Sequence, residues 1–146
     1  MGNVEANRQL AYKTVETWSI DVGGDVEPFF NLFHDDATFT TMARKDMFPL
    51  LAGTLNKKGF CDWVYKETRV TATKLKAEGI TADENRLALE ASSDMVVNGH
   101  SYKNNYHWLF EIRDGKISAR FYLDTLFAKK AVEWVEEAEA ATKANK

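Results

Sequence analysis

Apolar residues recur at helical spacing early in the chain and at every other position later, so helices should precede a set of strands. From about Glu5 to Val22, Leu10, Ala11, Val15 and Trp18 fall on one helix face. Gly23 and Gly24 are expected to stop that helix. Asp25 can cap a second, short helix carrying Phe29, Phe30 and Phe33, with Pro28 tolerated in its first turn. Ala37 to Thr41 has the composition of a short strand, and a loop containing Pro49 and Gly53 follows. Phe60, Trp63, Val64 and Glu67 fit a third helix from about Asn56 to Val70, with Asn56 as its cap. The next four segments read as strands: Thr73 to Ala82, Arg86 to Val97, Ser101 to Arg113 and Lys116 to Phe127. Asp83-Glu84-Asn85, Asn98-Gly99 and Asp114-Gly115 separate them as hairpin turns, because Gly and Asn tolerate the positive φ such turns demand. A last helix is expected from about Ala128, its end 136–146, rich in Ala, Glu and Lys, a frayed tail. With no internal repeat or linker, residues 1–146 read as one α+β domain, its helices on one face of a curved, mostly antiparallel sheet.

Alternation within the long strands sorts their side chains by face. Asn104, Tyr106, Trp108 and Phe110 share the side expected against the helices, and Asn105, His107, Leu109 and Glu111 the other. In the next strand Ile117, Ala119, Phe121 and Leu123 alternate with Ser118, Arg120, Tyr122 and Asp124, and neither set is simply a core face. Alternation alone leaves both orientations of that strand open. In one, Arg120 and Asp124 are solvated charges; in the other, they line a polar hollow.

The chain has 146 residues, 45% hydrophobic and 28% charged, the balance of one ordinary domain. A domain of about this size buries roughly 68–70% of its extended-chain surface, enough for a core without metals or disulfides. Nine Phe and four Trp therefore exceed what folding alone requires. Nineteen basic against 22 acidic residues give a net charge of −3, with no basic cluster to follow a phosphate backbone, so nucleic acid is not an expected partner. No apolar stretch approaches the ~20 residues of a membrane span, and Met1 to Leu10 lacks the apolar run of a signal peptide. Neither a membrane association nor an exported location is expected, and the cytoplasm is the default. Cys61, the sole cysteine, excludes an internal disulfide and a cysteine-built zinc site. It reads as a small buried hydrophobe, with a reactive thiol as the alternative. His34, His100 and His107 show no metal-ligand spacing, and His34 and His100 stand in turn-like context, so no metal is expected.

Three passages resemble the NTF2-like superfamily in its SnoaL-like and ketosteroid-isomerase-like branch. Phe33-His34-Asp35-Asp36-Ala37-Thr38-Phe39 is similar to that family's helix-to-strand junction. Leu51 to Gly59 is similar to the approach to its third helix. Phe110 to Ile117, followed by Phe121-Tyr122-Leu123-Asp124-Thr125, is similar to its "F…DGKI…YxD" hairpin. The resemblance spans Asn7 to Val135 and implies a cystatin-like cone, a bent sheet wrapped around helices and enclosing a pocket for a small apolar molecule. It also implies that Asn104, Tyr106, Trp108, Arg120, Tyr122 and Asp124 look into that pocket, while Leu109, Phe121 and Leu123 face a homodimer contact through the sheet.

The same resemblance leaves the reaction open, because this scaffold carries isomerases, cyclases, hydrolases, dehydratases and binding modules. The ketosteroid isomerase general base would fall near Thr41, its oxyanion-hole Asp at Tyr106 and its helix-one Tyr near Glu16, so that machinery is not reproduced. Of the epoxide hydrolase triad, only the "YxD" carboxylate is matched, by Asp124; the other two positions fall near Ala91 and Ser93. The expected activity is cofactor-independent acid/base chemistry on a small hydrophobic, oxygenated substrate, aromatic, polyketide or terpenoid. Asp124 is the candidate proton-transfer group, with Tyr106 and Arg120 stabilising oxygens. Trp18, Phe39, Thr41, Met42, Trp63, Asn104, Trp108 and Tyr122 are the candidate substrate-binding residues. The plainer readings are that Asp124 caps the last helix or pairs with Arg120, that Tyr106 is a core tyrosine, that Arg120 makes a surface ion pair, and that the rings only fill the cone. A non-catalytic binding or dimerisation module of the same fold is the competing function.

Overall fold

The computed structural model describes residues 3–18, 21–46, 52–67, 70–97, 99–124 and 136–145. Helix α1 spans Val4–Glu16, and the Asn3 side chain accepts from the Ala6 N–H at 3.0 Å to cap it. Its buried stripe is Asn7, Leu10, Ala11 and Thr14, the three- and four-residue spacing of a helix laid on a sheet. The helix stops at Thr17, whose hydroxyl donates to the Lys13 carbonyl, so it ends well before the glycines expected to terminate it. Trp18 is thereby released from the helix. Asn7, buried, donates from Nδ2 to the carbonyls of Asp83 and Glu84 at 2.8 and 3.1 Å and so pins α1 to a distant turn.

Helix α2 is the single turn Glu27–Phe30, with Pro28 in its first turn and the Asp25 carboxylate accepting from the Glu27 N–H at 3.0 Å. Phe33 does not belong to it. That residue opens strand β1, Phe33–Thr41, which is longer than the expected run and takes in His34. A short strand β2, Gly53–Asn56, lies where a loop was expected, and Gly53 supplies its positive φ of 90°. Asn56 caps helix α3, Lys57–Glu67, by accepting from the Gly59 N–H at 2.7 Å.

Strands β3, Val70–Ala82, β4, Arg86–Val97, β5, His100–Arg113, and β6, Lys116–Asp124, follow as a meander. The β5–β6 turn is the expected Asp114-Gly115, with φ of 52° and 76°. One strongly curled six-stranded sheet results, in the order β2-β1-β6-β5-β4-β3. Only the β1–β6 neighbours run parallel. The expected start of the last helix near Ala128 lies outside the described residues, and 136–144 is helical and exposed.

The core lies on the inner face of the curl, where α1, α2 and α3 pack. Phe29, Phe33, Phe110, Trp108, Leu87, Leu89 and Ile117 are fully buried there. Cys61, on α3, is only half-buried, and burial still pushes its thiol pKa up, which opposes the reactive alternative. Among the described residues no helix is long and apolar enough to cross a membrane.

Candidate functional site

Register fixes what alternation left open. Across β5 and β6, Phe110 faces Arg120, Trp108 faces Tyr122 and Tyr106 faces Asp124. Cross-strand partners share a face, so Arg120 and Tyr122 rise from the inner surface with the core rings, while the backbone of Asp124 falls in register beside Tyr106. Leu109 pairs with Phe121 on the outer surface, and the backbone of Leu123 pairs with His107, the Leu123 side chain lying outside the described residues. The regular alternation assumed for β6 is broken, however. Glu111 pairs with Ala119 and Ile112 with Ile117, which leaves Ser118 as an additional residue. Ile117 therefore joins Arg120 on the inner side, instead of Phe121.

Arg120 is the central group, and it is not the surface ion pair that strand position alone allowed. It is 4% exposed. Its guanidinium carbon sits 4.9 Å from the ring centre of Trp108, 5.0 Å from Tyr122, 5.3 Å from Phe60 and 6.0 Å from Trp18. Four rings thus cage one cation, each presenting the negative face of its π system. Burial pulls the guanidinium pKa down to about 10, against the opposing influence of the Tyr122 and Tyr106 phenols, so it stays cationic at neutral pH. Its Nε–H finds no hydrogen-bond partner among the described residues, and the buried indole N–H groups of Trp63 and Trp108 find none either.

The cage continues into the wider aromatic wall. Phe60 stacks on Phe39 with centroids 4.5 Å apart and planes 9° from parallel. Trp63 stacks on Phe60 at 6.0 Å, and Trp18 tilts against Phe29 at 4.6 Å. On the β5 side Tyr106 meets Trp108 at 5.8 Å and Tyr122 at 5.6 Å. The Tyr106 hydroxyl lies 2.8 Å from the Ser93 hydroxyl. Asn104, buried, donates to the Tyr102 hydroxyl at 3.1 Å while its carbonyl accepts from the Asn105 N–H. Thr41 is buried beside Tyr122, its partner across β1 and β6.

The structure thus brings Trp18, Phe39, Thr41, Trp63, Asn104, Tyr106, Trp108, Arg120 and Tyr122 to one inner surface. Met42 departs from them: it follows the buried Thr41 at the end of β1 and is 58% exposed. The Asp124 side chain lies outside the described residues; its backbone register places it beside Tyr106. Two participants escaped the sequence reading. Phe60 stands three residues before Trp63, a spacing that already put both on one helix face. Ser93 was met only as a position where the epoxide hydrolase triad is not matched, on an otherwise apolar inner row of β4. Among the described residues no three His, Cys, Asp or Glu side chains converge as metal ligands.

This curled sheet with its helices is the NTF2-like fold. The chain superposes on PrhC from Penicillium brasilianum with a TM-score of 0.70 at 16% identity, over 94% of this chain and 92% of that one. An NTF2-like protein from Anabaena variabilis gives 0.64 at 19% identity, over 84% and 92%. An M. tuberculosis LEH-like epoxide hydrolase gives 0.66 at 12% identity, over 85% and 86%. SnoaL-like and ketosteroid isomerase-like structures match in the same way. No family model and no curated protein matches the sequence.

Proposed function

We propose that this chain binds a small hydrophobic, oxygenated molecule against the inner face of its sheet and acts on it by acid/base chemistry without a cofactor. The observation that supports this reading is the register of β5 and β6, which sets Tyr106 beside Asp124 and Trp108 beside Tyr122, with Arg120 one pair further on. A carboxylate, two phenols and a cation then border one aromatic surface. Asp124 is the proton-transfer group in this reading. Glu90, Asp94 and Glu111, the other carboxylates of β4, β5 and β6, pair on the outer side. Tyr106 and Arg120 hold the substrate oxygen on which negative charge develops.

The test is turnover of a panel of aromatic, polyketide-like and terpenoid ketones, alcohols and epoxides, followed by Asp124→Asn on whichever is converted. Loss of general acid/base help should lower kcat by roughly 10² to 10⁴. A change within about threefold removes Asp124 from the chemistry. A second reading, a binding module without catalysis, is favoured by Thr41, a buried hydroxyl where the resemblance would place a general base. Tight binding of panel members with no conversion would select it.

The outer face belongs to the same proposal. Leu109 and Phe121, half-buried register partners there, are inferred to carry a contact between two copies. A monomer at micromolar concentration in sedimentation velocity counts against that contact.

A further inference from the structure

The buried polar atoms that lack a partner among the described residues are of one kind. Arg120 Nε–H, Trp108 Nε1–H and Trp63 Nε1–H are all donors, all removed from solvent, and all without an acceptor among the described residues. They occupy one continuous ring cluster: the guanidinium lies on Trp108 and Phe60, and Phe60 stacks on Trp63. A buried donor left unmatched is costly, and native structures contain few of them, so three in one cluster call for an acceptor. The charge has the same sense. Each ion pair among the described residues uses another basic side chain, namely Arg44, Lys57, Lys58, Lys76, Arg86 or Arg113, and all of those pairs lie toward the surface. The aromatic cage stabilises the cation through its ring faces, while Arg120 Nε–H itself meets no acceptor among the described residues.

We propose that the Arg120 cluster is the recognition site for an organic oxyanion, a carboxylate or an enolate of like shape, carried on a flat apolar body. The inference rests on the pocket reading above and names the charge of its occupant. The anion supplies the acceptor that Arg120 Nε–H lacks, and the planar guanidinium fork matches a delocalised two-oxygen group better than a single hydroxyl. The flat body stacks on the rings of Trp108, Phe60 and Trp63. At neutral pH the guanidinium is charged, since its pKa stays near 10.

The test compares trans-cinnamate with trans-cinnamamide, two probes of one shape that differ in charge, by calorimetry and tryptophan fluorescence at pH 7. Cinnamate should bind at least tenfold more tightly. In Arg120→Met that preference should vanish while the amide keeps its affinity within about threefold. Should circular dichroism show that variant unfolded, Arg120→Lys keeps the charge and removes Nε–H, and the preference should narrow by threefold or more. Equal affinities in the parent protein, or a preference that survives in the folded Arg120 variant, overturn the inference and leave the apolar pocket standing. Failure of both probes to bind the folded protein at millimolar concentration removes the pocket reading along with it. Asp124→Asn is the control for internal pairing: acid binding that appears only in that variant would mean that Asp124 holds Arg120, and also overturns the proposal.

Discussion

Ser93 Oγ and the Tyr106 hydroxyl oxygen stand 2.8 Å apart on adjacent strands, one diagonal step across β4 and β5. Ser93 is buried, so the bond forms where water competes little, and it fixes the rotation of the phenol O–H that faces the Arg120 cage. Ser93→Ala and Tyr106→Phe should each lower the unfolding free energy by about 1 kcal/mol. Because they break the same bond, the double variant should lose less than the sum, with a coupling of about 0.5 kcal/mol or more in urea titrations. Strict additivity would show that the pair contributes nothing together.

Arg120 should weaken the ligand-free fold. Burial lowers its pKa to about 10 on folding, so the folded state holds the proton less tightly than the unfolded one. Stability then rises as pH climbs past about 10, and the charged form is disfavoured throughout the range below it. Arg120→Met fills a similar volume without the charge. Its unfolding free energy at pH 7 should match that of the parent or exceed it by on the order of 1–3 kcal/mol. A loss beyond about 1 kcal/mol would mean that the four rings stabilise the cation by more than its desolvation costs.

Phe39 joins α3 to the sheet. Its ring stacks on Phe60 at 4.5 Å and meets Phe33 at 4.8 Å, and it is almost wholly buried. Phe39→Ala should cost about 3–5 kcal/mol, since it opens a cavity beneath the cage and removes a ring contact together with its buried area. Phe39→Leu should cost markedly less. Comparable losses for the two variants in chemical denaturation would place the energy outside ring packing.

Asp83 is the clearest acid-sensitive position. The backbone N–H groups of Asn85 and then Arg86 donate to its carboxylate at 2.8 and 2.7 Å and hold its pKa below the ordinary 3.8. A lowered carboxylate pKa stabilises the fold above the unfolded value, and that contribution is lost as pH falls through the folded one. Asp83→Ala should therefore lower the urea midpoint between pH 5 and 7, with the gap to the parent shrinking below about pH 4. A gap that stays constant down to pH 2 would assign the effect to the shape of the turn alone.

Chain pattern revealed the elements better than their ends. Hydrophobic spacing located α1, α3 and the four strands of the meander, because each buries one face along its length. The cap Asn56 was legible too, since its side chain acts within three residues of its own position, whereas Val26 takes the N-cap of α2 and Asp25 bonds the Glu27 N–H from one residue before it. Long-range effects were not. Helix α1 ends at Thr17 although its apolar spacing continues to Trp18, because that ring turns to meet Phe29 and the Arg120 cage. Phe33 looked helical beside Phe29 and Phe30, yet its backbone pairs with Ile117, a partner far along the chain on which local sequence pattern is silent. For the candidate site, the residue types on β5 and β6 could be named in advance. The burial of Arg120 could not, because it depends on four rings contributed by separate segments of the chain.

Ser118 gives the β6 bulge a meaning beyond geometry. From Ile117 onward, strict two-residue alternation would send Arg120 and Tyr122 outward and Phe121 inward, leaving β6 no charge on its inner row. One inserted residue reverses that assignment. The polarity that β6 contributes to the inner surface is thus held by a single position of chain length, so the loss of one codon would be a more thorough way to erase it than replacing either polar side chain.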